Sequence, residues 1–164
     1  MQKYGIILAT GAIMLAIVLS SGCVSGPSIH PACPNCTVVL TPPPLGAAAD
    51  LHEKGFDAYI NGNYSSALDY YNKSLVADPN YTRAWIDKGN VLVSMNRSAE
   101  AVLAYDSALA LENDLAQVWN KRGAALMATG NFTAARDSFN RALQLAPNYV
   151  EAQENLNLTL AKLK

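Results

Sequence analysis

Displaced by 34 positions, this chain superposes on itself column by column. Gly55, Gly89 and Gly123 coincide, as do Ala67, Ala101 and Ala135. Tyr71, Tyr105 and Phe139 share one column, and Leu75, Leu109 and Leu143 another. Trp85 and Trp119 occupy a column where the first unit has Leu51; Pro79 and Pro147 close the first and third units, with Asn113 in the second. Self-similarity at a fixed period means stacked supersecondary units, each too small to bury its own apolar face. Within each unit the apolar spacing is helical and breaks near the middle, at Gly62-Asn63, Asn96 and Gly130-Asn131. That pattern predicts a helix, a tight turn and a second helix. The Gly and Ala columns lack bulk, so the two helices approach to about 8–10 Å between axes. The aromatic and Leu columns fill the space around the crossing, and proline stops the second helix before the next unit.

These units resemble tetratricopeptide repeats, whose pattern runs W-x2-L-G-x2-Y, then Ala, an aromatic and Pro. Trp85-Ile86-Asp87-Lys88-Gly89 and Trp119-Asn120-Lys121-Arg122-Gly123 match its Trp and Gly, while Lys88 and Arg122 replace the Leu. The resemblance implies an all-α, right-handed solenoid of three repeats at 48–81, 82–115 and 116–149. Residues 150–164 follow as a polar-faced capping helix, with Val150, Leu156, Leu160 and Leu163 available to pack and Gln153 where a fourth Trp would stand. In that family the first helices of successive repeats line a concave groove that binds peptide segments or partner proteins. Carried over by position, the groove would be lined by Ala49, His52, Phe56 and Tyr59, by Arg83, Ile86, Asn90 and Val93, and by Gln117, Asn120, Ala124 and Met127. Such a wall suits a partly apolar peptide held by amide hydrogen bonds. The family's carboxylate-gripping set of Lys, Asn and Arg is mostly missing, with His52 and Phe56 standing where Lys and Asn are needed. Arg83 and Lys121 are the cations near the groove, which implies weak recognition of anions.

The N-terminus reads as an address. Lys3 precedes Gly5 to Gly22, 18 residues without a charge, which is what an export signal requires. Leu19-Ser20-Ser21-Gly22-Cys23 resembles a bacterial or archaeal lipoprotein signal, and that resemblance implies lipidation of Cys23. An uncleaved anchor and ordinary signal cleavage are the other two outcomes, because the run is just long enough to span a bilayer and Ser21 and Gly22 are small. Residues 1–22 are therefore expected to be a signal or membrane anchor, and 23–47 a disordered Pro-rich linker. Val24 to Gly46 is uncharged, with prolines at 27, 31, 34, 42, 43 and 44, too little apolar surface to fold and too much proline to compact. Cys33-Pro34-Asn35-Cys36 lies in it. A redox site needs a helix N-terminus and a zinc site two more ligands, so a local disulfide in an oxidising compartment is the expected pairing.

Seven N-x-S/T triplets occur, at Asn35, Asn63, Asn72, Asn80, Asn96, Asn131 and Asn157. Random placement of the asparagines and hydroxyl residues gives about 1.5 such acceptors for N-glycosylation. Turn chemistry accounts for part of the excess: Asn63, Asn96 and Asn131 lie in intra-repeat turns, where Asn suits the backbone and Ser or Thr caps the next helix. Combined with the lipoprotein-like signal, the remainder points to a glycoprotein of an archaeal cell surface.

A formal net charge of −1 removes the basic face that a nucleic-acid binder requires. The histidines are His30 and His52, no Ser or Cys has a base at readable spacing, and no Gly-rich phosphate loop is present. The expected protein is not an enzyme, needs no cofactor or metal, and binds a protein or peptide partner while held at the membrane and facing outward. The alternative is a structural envelope component that associates with itself or with a surface-layer protein.

Overall fold

A computed structural model describes residues 46–164; Cys23, the Cys33–Cys36 pair, Asn35, the leader and most of the linker lie outside the described residues. Seven helices follow one another: α1 (Ala47–Ile60), α2 (Tyr64–Ala77), α3 (Thr82–Ser94), α4 (Ser98–Leu111), α5 (Ala116–Ala128), α6 (Phe132–Leu145) and α7 (Val150–Lys162). Each packs on the next in sequence, giving the helical-hairpin solenoid expected from the repeat. Along one side α1 also approaches α3 and α5 approaches α7, whereas α3 and α5 come less close.

Three turns fold the helices back. Gly62, Asn96 and Gly130 sit at φ 74°, 58° and 80°, the left-handed region that Gly enters freely and Asn tolerates. Asn63 and Asn131 then cap α2 and α6, their side chains accepting from the backbone N–H groups of Ser66 and Ala134 at 3.3 Å. The cap is thus the asparagine itself, not the Ser or Thr that follows it. At the equivalent place before α4, Arg97 supplies no cap and instead pairs through two nitrogens with Glu100.

Glycine is obligatory where the two helices of a unit cross. A Cβ on Gly55 would lie 2.6 Å from Tyr71 Cε1; on Gly89, 2.5 Å from Tyr105 Cε1; on Gly123, 2.5 Å from Phe139 Cε1. The three rings are buried and fill that space, flanked by the fully buried Ala67, Ala101 and Ala135. The central core joins α3, α4 and α5 through Leu92, Ala104, Tyr105, Ala108, Leu109, Val118 and Ala125.

The tryptophans tie the units together. Trp85 and Trp119 donate through Nε1 to the carbonyls of Pro79 and Asn113, each at 2.9 Å, fixing the loop that precedes their own helix. Lys88 and Arg122, unusual in their column, lie over those indoles at 5.0 and 5.7 Å. Burial holds the Lys88 ammonium below the usual lysine range. Arg122 further bonds Asp106 of α4 and Ser138 of α6, so it joins three helices.

The terminal helix departs from expectation. It buries Ala152, Leu156 and Thr159, an i, i+4, i+7 stripe, while Val150, Leu158, Leu160 and Leu163 are exposed. Its outer face is therefore partly apolar: packing chose the stripe through Ala152 and Thr159, which rotates Leu160 away from the body.

Replacing Gly89 with Ala sets a gain of about 1 kcal/mol in helix propensity against about 1–3 kcal/mol of overpacking. Because the opposing ring is buried, a net loss of about 1–2 kcal/mol is expected in denaturant melts. The double change Gly89→Ala, Tyr105→Leu should restore part of it, giving a coupling above about 0.5 kcal/mol.

Candidate functional site

The odd-numbered helices form the concave wall, and its floor is a set of polar side chains one turn apart. His52 of α1 lies between the rings of Tyr71 and Tyr81, 5.3 Å from each centroid. Its Nε2 donates to Asp87 Oδ2 of α3 at 2.7 Å. Asp87 Oδ1 accepts from Asn90 Nδ2 at 3.0 Å, and Asn90 Oδ1 accepts from the Tyr105 hydroxyl at 3.0 Å. At the other end Asn120 of α5 accepts from Asn155 Nδ2 of α7 at 3.1 Å and donates to the Tyr149 hydroxyl at 3.2 Å. Both cross-wall bonds join residues 35 apart.

The equivalent pair across the middle seam is Ile86 of α3 and Lys121 of α5, and no hydrogen bond joins them. There the wall opens into two cavities that share Lys121. One, of about 330 Å³, is lined by Tyr59, Asn90, Val93, Ser94, Ser98, Tyr105, Ala124, Ala125 and Ala128. The other, of about 440 Å³, is lined by Ile86, Asp114, Leu115, Ala116, Gln117, Val118, Ala146 and Tyr149. Lys121 is exposed and has no ion-pair or hydrogen-bond partner among the described residues.

Of the groove residues expected from sequence, the structure brings Tyr59, Asn90, Val93 and Ala124 to the first cavity and Ile86 and Gln117 to the second. His52 and Asn120 are buried in the cross-wall bonds and do not present open side chains. Met127 packs against the core cluster of α5, α6 and α7. Phe56 and Arg83 are exposed but line neither cavity. Sequence reasoning missed Ser94, Ser98 and Tyr105, which belong to second helices or helix ends that the positional carry-over did not cover. No group of three or more His, Cys, Asp or Glu that could hold a metal ion occurs among the described residues.

Burial, reinforced by the Asp87 charge, pushes the phenols of Tyr71 and Tyr105 far above the usual tyrosine range. Their situations differ in one respect. Tyr105 donates to Asn90, whereas the buried Tyr71 hydroxyl has no partner among the described residues.

Residues 86–150 match the tetratricopeptide-repeat family model. RNA polymerase II-associated protein 3 of Homo sapiens is 30% identical over 106 residues, 65% of this chain and 16% of that protein. Protein O-mannosyl-transferase TMTC1 of Homo sapiens is 34% identical over 98 residues, 57% of this chain and 11% of that protein. The chain therefore spans only a minor part of the curated relatives it matches. Among solved structures, the first TPR of Spaghetti (RPAP3) bound to the HSP90 peptide SRMEEVD superposes with a TM-score of 0.69 at 29% identity, covering 71% of this chain and 93% of that one. The crystal structure of MamA protein shares the fold at 22% identity, with a TM-score of 0.70 over 72% of this chain and 64% of that one.

Two tyrosines in one column should respond oppositely to loss of the hydroxyl. Tyr71→Phe removes an unpaired buried polar group and is expected to stabilise by about 1 kcal/mol; Tyr105→Phe strands Asn90 and should cost about 1 kcal/mol. Both phenols have raised folded values, so the stability they contribute is complete below the unfolded tyrosine value and declines as pH rises above about 10. Melts recorded between neutral and strongly alkaline pH should show a shallower decline in either Phe variant than in the parent.

Proposed function

Residues 47–162 form a tetratricopeptide-repeat domain, and from that premise we propose that the protein is a membrane-attached adaptor. It holds an extended segment of a partner protein in the concave face, at the seam between α3 and α5. The observation that carries this reading is the pair of adjoining cavities at the cross-wall position that, among the described residues, has no hydrogen bond. Elsewhere on the wall the polar groups are committed to one another, and a ligand would have to break those bonds at about 0.5–1.5 kcal/mol each. At the seam itself no cross-wall bond has to be broken, although Asn90, Ser94, Tyr105 and Tyr149 in the cavity walls already have partners. Ile86, Leu115, Val118 and Tyr149 offer an apolar seat, Ser94 and Ser98 offer hydroxyls, and Lys121 between them takes a carbonyl or a single acidic group. A relative of the same fold, the first TPR of Spaghetti, is bound to a peptide, which supports this use of the scaffold.

The sequence before the domain supplies the location. The uncharged run behind Lys3 and the lipoprotein-like Cys23 direct the domain across the membrane and keep it there, with the Pro-rich stretch as a spacer. The protein performs no chemistry of its own in this reading. Its contribution is to concentrate a partner at the outer membrane face, as a tethered site does.

Crosslinked affinity capture of the full-length tagged protein from the membranes of its source cells tests this. A parallel bait carries Tyr59→Ala, Val93→Ala and Lys121→Ala, three changes at incompletely buried seam residues. One near-stoichiometric protein should be recovered with the parent and fall on the order of 10- to 100-fold with the triple variant. Equal recovery of the same proteins with both baits, or of the bait alone in higher oligomers, counts against the groove and favours a structural envelope role.

A further inference from the structure

We propose that the exposed N-x-S/T asparagines of the repeat domain carry N-linked glycans. The inference rests on the export reading above, and its basis is how the domain's asparagines divide. Asn63, Asn72, Asn80, Asn96, Asn131 and Asn157 are all exposed, and none lines either seam cavity. In none of the six does the side-chain nitrogen donate a hydrogen bond among the described residues. The asparagines whose Nδ2 does donate are Asn61, Asn90, Asn120 and Asn155, and none of these begins a triplet. The two sets do not overlap, and Asn113, Asn140 and Asn148 belong to neither. Where a triplet asparagine has a structural task it uses the oxygen: Asn63 and Asn131 cap helices through Oδ1, and Asn157 Oδ1 accepts from Gln153 at 3.3 Å. Substitution on Nδ2 leaves every one of those bonds in place.

The chemistry is transfer from a lipid phosphate-linked oligosaccharide. The Asn Nδ2 bonds to the anomeric carbon, the bond from that carbon to the phosphate oxygen breaks, the lipid phosphate leaves with the electron pair, and the amide loses one proton to the transferase. The triplet hydroxyls set the order of modification. Those of Ser74 and Thr159 are buried and donate to the carbonyls of Ala48 and Asn155 at 2.7 Å, and Thr82 is buried as well. Asn72, Asn80 and Asn157 are therefore modified before their helices close, while the triplets at Asn63, Asn96 and Asn131 stay open in the folded turns.

Peptide mass spectrometry on the full-length protein from its own cells is the test. Saccharide increments are expected on Asn63, Asn72, Asn80, Asn96, Asn131 and Asn157. The variant Asn157→Gln keeps the buried Thr159 and should lose the increment at that position alone, without losing the protein captured by the groove. Six bare asparagines would overturn the proposal and leave the groove reading untouched, because capture is measured separately. Bare Asn72, Asn80 and Asn157 with occupied turns would overturn modification ahead of helix closure.

Discussion

An aromatic ring pressed against a glycine is the contact on which the rest of this structure depends. It occurs once in each helical hairpin, and the ring stands where any side chain on the opposing helix would begin. Interior packing is close enough that one carbon atom is felt, so the contact fixes how near the two helices lie and how they cross. Alanines at 67, 101 and 135 continue the close approach along the same interface. With hairpin geometry repeated three times, the first helices are brought side by side, and the concave wall is a consequence.

What distinguishes this wall from a generic one is the unequal joining of its helices. His52 with Asp87 and Asn120 with Asn155 close the outer seams, and each bond extends into a second one, to Asn90 or Tyr149. The middle seam has Ile86 opposite Lys121, a pair with no hydrogen bond to make. Apolar and cationic surface is left facing the groove there, in the part of the domain where the core beneath is largest. Rigid support under an unsatisfied surface is the arrangement that favours holding a ligand.

The sequence was most legible where it repeats. The columns of Gly, Ala and aromatics, and the turn residues Gly62, Asn96 and Gly130, specify hairpins that the structure contains at those places. The site was less legible for a geometric reason: the cross-wall partners lie 35 apart, one more than the repeat, so an alignment in register never sets His52 against Asp87 or Asn120 against Asn155. Positional carry-over consequently treated His52 and Asn120 as open groove residues when they are structural. It also ranked Lys121 with Arg83 as a cation near the groove, because only the missing bond at Ile86 singles that seam out. The face of α7 was misjudged similarly, since Leu156 and Leu160 share a helical stripe on paper and the choice between Leu160 and Thr159 is made by packing.

The burial of α4 has a mechanical side. Ala101, Ala104, Tyr105, Ala108 and Leu109 pack it against both neighbours, so it ties the two halves together on the outer side of the middle seam. The halves are latched internally on the concave side, and that seam is not. On the concave side, then, the two halves are held through α4 and the core beneath it. A segment lying across that seam would supply the cross-tie that hydrogen bonds supply at the other two.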